Sequence, residues 1–296
     1  MATLAAPAQR EALDAVDAAY AAAPLGVQLF VGSYDDTYVH VYQAFNTDIA
    51  DYAVAQQTFV GCPAFNTRRM TWIKPSFAWV CYRSGYGRKH GQERVLRLSL
   101  PHDAMGSLLS QCRLVDTNKA TRSSHGSGIR PVRGGCRRPD DDSGEEEDDS
   151  GEDEGPVGSD AGGGGGGTTV GRVQWDPARD LYAAAENRRE PRAMLRQRAI
   201  QIGLPGRLSA EYTAAIAKID DITPLARALG QAHAAKTSKD FARRMRDVAP
   251  QLPVERPYAP RCARAVLAEL AMLPGPAADA IACLGRGKAT AAAAPR

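Results

Sequence analysis

Residues 37–57, TYVHVYQAFNTDIADYAVAQQ, contain two local patterns in succession, and together they decide the fold class. The segment 37–45 is rich in β-branched and aromatic residues, which is typical of a strand, and the Asp35-Asp36 turn before it predicts a hairpin with residues 27–34. An Asn-Thr pair then caps a stretch with apolar residues at helical spacing, which predicts a helix. A strand followed at once by a helix indicates a mixed architecture.

The same mixture continues through the rest of the chain. Because the predicted strands and helices do not alternate as regular βαβ units, we expect an α+β fold in a single mixed domain. The further predicted strands are residues 93–100, 170–177 and 195–204, and the further predicted helices are residues 75–84, 101–112 and 206–218 and a segment that starts at Thr223.

Composition divides the chain into segments. Residues 117–169 pass from a Ser-, Gly- and Arg-rich stretch through an acidic run to six consecutive glycines, which predicts a disordered insertion. We expect this insertion to split the α+β domain, since neither half has enough strands to close a sheet. The predicted segments are an N-terminal helical extension (1–24), the split domain (25–116 and 170–235), the insertion (117–169) and an Ala-rich helical tail (236–296).

The net charge of +3 hides a strong asymmetry. Residues 140–154 contain 11 of the 34 acidic residues, so the rest of the chain carries 37 minus 23, or +14. A body with this charge attracts phosphate groups, although an Arg-rich solvated surface alone would give the same count.

Cysteine usage and hydropathy limit the cellular setting. The six cysteines are scattered without a C-x-x-C or a paired Cys/His spacing, which indicates reduced thiols and no metal site. We find no apolar run of signal-peptide or membrane-spanning length in the sequence. The expected location is therefore cytoplasmic or nuclear, with no membrane partner.

Residues 69–87, RMTWIKPSFAWVCYRSGYG, are dense in aromatic and basic side chains in a chain that is only 6% aromatic. At helical spacing, Phe77, Val80 and Cys81 share one face and are predicted to pack in the core. Lys and Arg are seldom buried without a partner, so Lys74 and Arg83 beside aromatic rings and a helix N-terminus indicate a surface for phosphate and a stacked base.

Six strings in this order resemble the family called domain of unknown function 4291. They are VHVYQAFN, RMTWIKPSFAWVCYRSGYG, GQERVLRL, VQWDP, RAIQIGL and IDDITPLAR, and the resemblance covers residues 27–116 and 172–229. The acidic and glycine-rich stretch between these two ranges departs from the family pattern. The family name itself carries no established activity.

Two of these strings also resemble, more distantly, the ADP-ribosyltransferase superfamily. In VYQAF, Gln43 stands where those enzymes have a His or Arg that holds NAD, and in GQERVL, Glu93 stands at the position of their strand-leading Glu. The resemblance implies an ADP-ribosyltransferase-like sheet with flanking helices, NAD as substrate, no metal, and catalysis by Glu93 with Gln43. The residues expected to bind NAD are Tyr42, Trp72, Lys74, Ser76, Tyr82 and Arg83.

Other functions fit the same residues. A non-catalytic nucleic-acid-binding module would use stacking and phosphate contacts from Trp72, Trp79, Tyr82, Lys74 and Arg83. In a scaffold, the acidic insertion would be the working part. Glu93 separates the first two, because a carboxylate opposes RNA binding but serves glycosyl transfer. His40 is either an exposed strand residue or a general base, and no nucleophile pattern supports a Ser-His-Asp hydrolase. The acceptor substrate and the oligomeric state do not follow from the sequence.

Overall fold

Helices and strands are mixed throughout the computed structural model, which describes residues 5–23, 27–115, 170–182 and 198–272. The helices are α1 (Pro7–Ala22), α2 (Thr47–Gln56), α3 (Phe77–Arg83), α4 (His102–Ser110), α5 (Gly206–Ala215), α6 (Thr223–His233), α7 (Ser238–Val248) and α8 (Arg264–Glu269), with a 3-10 turn at Ala249–Gln251. The strands are β1 (Val31–Gly32), β2 (Tyr38–Phe45), β3 (Thr71–Ile73), β4 (Arg94–Pro101), β5 (Cys112–Leu114), β6 (Gly171–Pro177), β7 (Arg198–Leu204), β8 (Lys218–Asp221) and β9 (Arg256–Pro257). The predicted α+β class is confirmed.

Two sheets meet at a single backbone bridge. One sheet has the antiparallel order β2-β4-β8, and the other has the order β3-β7-β6-β5, in which β5 and β6 are parallel. Tyr42 and Lys74 exchange both backbone hydrogen bonds, at 2.8 and 3.2 Å, and this bridge joins β2 to the end of β3. Seven of the nine described strands therefore form one row, β8-β4-β2-β3-β7-β6-β5, and β1 and β9 form a separate two-stranded sheet.

One face of this row carries the larger apolar core. Val39 and Val41 of β2, Leu96 and Leu98 of β4 and Ile202 of β7 are buried on it. Helices α2, α4, α5 and α8 contribute further side chains to the same core. The alternation of buried residues follows from the period of two along a strand.

The opposite face of the row has two parts. Toward one end, Tyr42 and Val95 pack with α3, α6 and α7 in a second apolar cluster. Beside this cluster the face is polar: Arg97 lies opposite Tyr42 and Asp220, and Ser99 lies opposite His40 and Lys218. We call the two rows His40, Ser99 and Lys218 and Tyr42, Arg97 and Asp220 the polar face; Tyr42 and Ser99 are its buried members, and Tyr42 joins it to the apolar cluster.

The predicted hairpin at residues 27–45 exists only near its turn. Asp35 accepts hydrogen bonds from the backbone N–H groups of Thr37 and Tyr38, and Tyr34 bridges Val39. Further from the turn, β1 pairs with β9 instead, because the segment after the 3-10 turn returns to this edge.

The predicted insertion, 117–169, and the end of the predicted tail, 273–296, lie outside the described residues. The described residues on both sides of the insertion belong to one compact unit. The domain boundaries drawn from composition remain predictions.

Candidate active site

The Tyr42–Lys74 bridge places a fully buried tyrosine beside the start of α3. The Tyr42 ring packs against Phe77 with ring centroids 5.4 Å apart. Among the described residues its hydroxyl has no hydrogen-bond partner of normal geometry. The Ser33 side chain nevertheless lies close enough to lower the pKa of the phenol. Burial, and after it the charge of Glu255, raise the pKa of the Tyr42 phenol, so the hydroxyl stays protonated and can donate.

Glu255 caps the start of α3 from a distant part of the chain. The first N–H groups of a helix have no partner inside the helix. The Glu255 carboxylate accepts a hydrogen bond from the Phe77 N–H at 2.5 Å and one from the Ser76 hydroxyl. Ser76 also accepts one from the Trp79 N–H at 3.4 Å, so Ser76 and Glu255 share the N-terminal turn.

The pKa of Glu255 is raised to about 7. The residue as a whole is only half-buried, but protein atoms surround its carboxylate closely, and this desolvation disfavours the charged form. The N–H of Phe77 and the hydroxyl of Ser76 lower the pKa only in part, because both are neutral donors. Glu255 therefore gains and loses a proton near neutral pH, as a general acid or base must.

Two aromatic residues of the same short helix form a platform with an arginine that follows β6. The rings of Trp79 and Tyr82 are stacked with centroids 5.7 Å apart, and the Arg179 guanidinium lies 3.7 Å from the Tyr82 ring centroid. Trp79 is buried, whereas Tyr82 is 48% exposed. We call Trp79, Tyr82 and Arg179 the aromatic platform. Three residues beyond Arg179, Tyr182 is near enough to Glu255 for the carboxylate to raise the pKa of its phenol, after the larger effect of burial.

Gln43 is part of the core and not of a surface site. Its side-chain N–H donates to the carbonyl oxygen of Trp72 at 3.1 Å, and its amide oxygen accepts from the Tyr212 hydroxyl at 2.8 Å. Gln43 is 6% exposed and shares the core face of β2 with Val39 and Val41. These contacts occupy both ends of its amide.

The residues expected to bind NAD are spread over the start and the end of α3. Tyr42, Lys74 and Ser76 lie close together. Tyr42 and Lys74 are directly opposite each other as a hydrogen-bonded antiparallel pair, and Ser76 follows Lys74 by two residues. Tyr82 belongs to the aromatic platform, and the half-buried Arg83 ends the helix. The Trp72 ring lies over the backbone of Gly203 and is partly buried.

Glu93 lies apart from Gln43, in the turn that precedes β4. In the register of β2 and β4, Gln43 faces Leu96, so Glu93 lies beyond that pair toward the start of the strand. Hydrogen bonds from its own N–H and from the N–H of Gly91 lower the pKa of Glu93. Its second oxygen has no partner among the described residues. A carboxyl that stays ionised in this way is a weak base at neutral pH.

Glu255, Arg179 and Tyr182 are not among the site residues that the sequence predicts. All three lie in segments whose sequence indicates a turn or a helical tail, and each acquires its role only from contacts with α3 or with Glu255. The one local signal is that Glu255 stands in the stretch PVERPY between two prolines, where a helix is disfavoured.

The described residues contain no group of three or more His, Cys, Asp or Glu side chains arranged to hold a metal ion. Within the same residues, every helix is too short or too polar to cross a lipid bilayer.

The family model described as domain of unknown function (DUF4291) matches residues 30–258, which is more than half of the chain. The chain belongs to the DUF4291 family. The predicted membership is thus confirmed. No curated protein matches the chain.

The ends of the DUF4291 match meet in space. Tyr258 donates its backbone N–H to the carbonyl of Phe30 at 2.8 Å, and the two rings lie 5.0 Å apart. Between these residues β1 pairs with β9. The DUF4291 domain therefore includes Glu255, the aromatic platform and the polar face.

Proposed function

We propose that this DUF4291 protein is an enzyme that acts on a nucleotide of the NAD type and transfers ADP-ribose, with Glu255 as its general base. The observation that carries the proposal is the carboxylate of the half-buried Glu255, which is enclosed by protein atoms beside α3, has a pKa of about 7 and is held by neutral donors. Perturbed carboxylates of this kind cluster at functional sites. The NAD class comes from the resemblance to ADP-ribosyltransferases.

The chemistry requires one base. The bond between C1′ of the ribose and the nicotinamide nitrogen breaks, and its electron pair leaves with nicotinamide. The oxygen of the acceptor, a hydroxyl or water, bonds to C1′ and gives its proton to the Glu255 carboxylate. Because nicotinamide leaves as a neutral molecule, no general acid is needed.

Two neighbouring features support binding of such a ligand. The Tyr42 phenol is fully buried beside Glu255 and stays protonated, so it adds no negative charge that would oppose an anionic nucleotide. The exposed Tyr82 ring and the planar Arg179 guanidinium suit a purine or nicotinamide ring. Tyr82 lies five residues after Phe77 in α3, so about 7 Å along the helix axis separate the start of α3 from the exposed ring of the platform, a span that an extended dinucleotide covers.

The test is nicotinamide release from NAD by the full-length protein. Glu255→Gln keeps the shape of the side chain but cannot take a proton, and we expect turnover to fall by about 100-fold or more. Glu93→Gln is the matched control, since it makes the same substitution in the turn before β4, and turnover should stay within about threefold of wild type. In the wild type, kcat should rise with pH through an apparent pKa near 7.

A loss of turnover in Glu93→Gln with near-wild-type turnover in Glu255→Gln would assign catalysis to Glu93. If the wild-type protein neither binds nor consumes NAD with water or protein acceptors, the enzyme proposal fails. The nucleic-acid-binding module then leads, and its signature is salt-dependent RNA binding that Glu255→Gln leaves unchanged.

A further inference from the structure

We propose that Arg97 and Lys218, together with His40 and the buried Ser99 that contacts its ring, form a phosphate subsite on the polar face, which holds the pyrophosphate of the nucleotide. This inference deepens the proposed function and rests on it. This subsite lies on β2, β4 and β8 and is separate from the start of α3. It gives a binding role to polar side chains of these strands.

Strand register brings these four side chains together. Tyr42, Arg97 and Asp220 form one row across β2, β4 and β8, and His40, Ser99 and Lys218 form the next row. Neighbouring strands lie about 4.8 Å apart, and residues two apart on a strand lie about 7 Å apart. The two rows thus form a patch about as large as a pyrophosphate group with its first contacts.

The patch has more cationic donors than its single central acid can use. Arg97 donates from Nε and Nη2 to Oδ2 of Asp220, and Lys218 lies 2.8 Å from Oδ1 of the same carboxylate. Two positive charges thus share one negative charge. An arginine has five N–H donors and a lysine three, so both keep donors for a second anion. The side chains of Arg97 and Lys218 are 37% and 59% exposed, so a ligand can reach them.

His40 and Ser99 complete the patch with neutral polar groups. His40 Nδ1 lies 3.1 Å from the Ser99 hydroxyl, and its Nε2 lies 3.7 Å from a carboxylate oxygen of Asp35. Asp35 already accepts the N–H groups of Thr37 and Tyr38. Burial and then Arg97 lower the pKa of His40, against the opposing effects of Asp35 and Asp220, so the imidazole is neutral at neutral pH.

Tyr42 connects this patch to the acid–base group. Arg97 is the cross-strand neighbour of Tyr42, and both Glu255 and Arg97 lie near enough to the buried Tyr42 hydroxyl to shift its pKa, Glu255 upward and Arg97 downward. A ligand with its phosphates at Arg97 and Lys218 would therefore extend its adjoining ribose past the buried Tyr42 toward Glu255. This order of groups matches a nucleoside diphosphate whose reacting carbon is one sugar away from the pyrophosphate.

A sheet-stabilising role explains less of the arrangement. One cross-strand ion pair between Arg97 and Asp220 would satisfy both partners on the sheet surface, and exposed pairs of this kind contribute little. The second cation at Lys218 and the His40–Ser99 pair have no function in that account.

The test uses inorganic pyrophosphate as the probe and isothermal titration calorimetry of the full chain at low ionic strength. We expect saturable binding with one site per chain. Lys218→Gln should weaken binding by about tenfold, because one charge-assisted contact is lost. Lys239→Gln removes a similarly exposed positive charge from α7 and should change the affinity by less than about twofold.

The outcomes separate this inference from the proposed function. Lack of pyrophosphate binding, or equal weakening by Lys218→Gln and Lys239→Gln, overturns the subsite, since the second result reflects general charge attraction. Glu255→Gln should bind pyrophosphate like the wild type. Pyrophosphate binding that depends on Lys218 without any NAD turnover supports the subsite and contradicts only the proposed reaction. In an active enzyme, Lys218→Gln should raise KM for NAD about tenfold with little change in kcat.

Discussion

Replacement of Glu255 by Gln should change how the stability of the protein depends on pH. The pKa of Glu255 is higher in the folded protein, about 7, than the ordinary 4.5 of an unfolded chain. The folded state therefore binds the carboxyl proton of Glu255 more tightly than the unfolded state does. The contribution of this proton to the free energy of unfolding is fully present below about pH 4.5 and is lost as pH rises through 7. The Glu255→Gln variant would carry no such dependence, because the amide that replaces the carboxyl stays neutral.

The expected magnitude follows from the pKa difference. One pKa unit corresponds to about 1.4 kcal/mol, so a rise from 4.5 to about 7 is worth about 3 kcal/mol in total. Between about pH 5 and pH 8 most of this amount, roughly 2 to 3 kcal/mol, should be lost from the wild type. Glu255→Gln should accordingly become more stable relative to the wild type as pH rises, while it loses activity. This combination is expected of a residue that is kept for function at a cost in stability.

The measurement is urea unfolding of the wild type and Glu255→Gln at about pH 5 and pH 8, with the difference between the two proteins compared across pH. Other titrating groups are common to both proteins and cancel. Glu93→Gln serves as the control, and because the pKa of Glu93 is lowered it should not reproduce the trend. A difference between wild type and Glu255→Gln that stays constant across this range would show that Glu255 ionises normally. Its assignment as a base would then be refuted.

Two further substitutions test the surroundings of the site. Tyr42→Phe keeps the contact with Phe77 and deletes a hydroxyl that has no partner of normal geometry among the described residues, so the free energy of unfolding should stay constant or rise by about 1 kcal/mol. A loss of stability in urea unfolding would show that the hydroxyl forms a hydrogen bond with Ser33. Gly230→Ala would place a Cβ 2.7 Å from Tyr86, whose hydroxyl is hydrogen-bonded to His233 at 2.6 Å. Because Tyr86 is held in this way, the substitution should lower the free energy of unfolding by about 1–3 kcal/mol in urea unfolding. Unchanged stability would mean that Tyr86 moves freely.

Local patterns in the sequence were sufficient for much of the fold. The alternation in residues 93–100 became β4, and the helix predicted at residues 75–84 became α3, which begins two residues later after the Ser76 cap. Phe77, Val80 and Cys81 are buried as predicted. These features depend on neighbours within a few residues, so the sequence contains the information directly.

The short strands were not predictable in this way. β3, β5 and β8 have only three or four residues each, too few for an alternation to be recognised. They are strands because longer strands beside them supply hydrogen-bond partners. The polar face follows from the same register, which no local pattern specifies.

By itself, the sequence determined the fold class, the DUF4291 membership and the helix at α3 with its buried apolar face. Only the tertiary structure decided which acidic residue has a perturbed pKa near neutrality. Glu93, in a motif-like string, lies in a turn where backbone N–H groups keep it ionised. Glu255 lies 178 residues from its partner Phe77, and its proton affinity comes from atoms that surround it only after folding. The pKa of a carboxyl is set by desolvation and by contacts in space, and those properties exist only once distant segments have packed together.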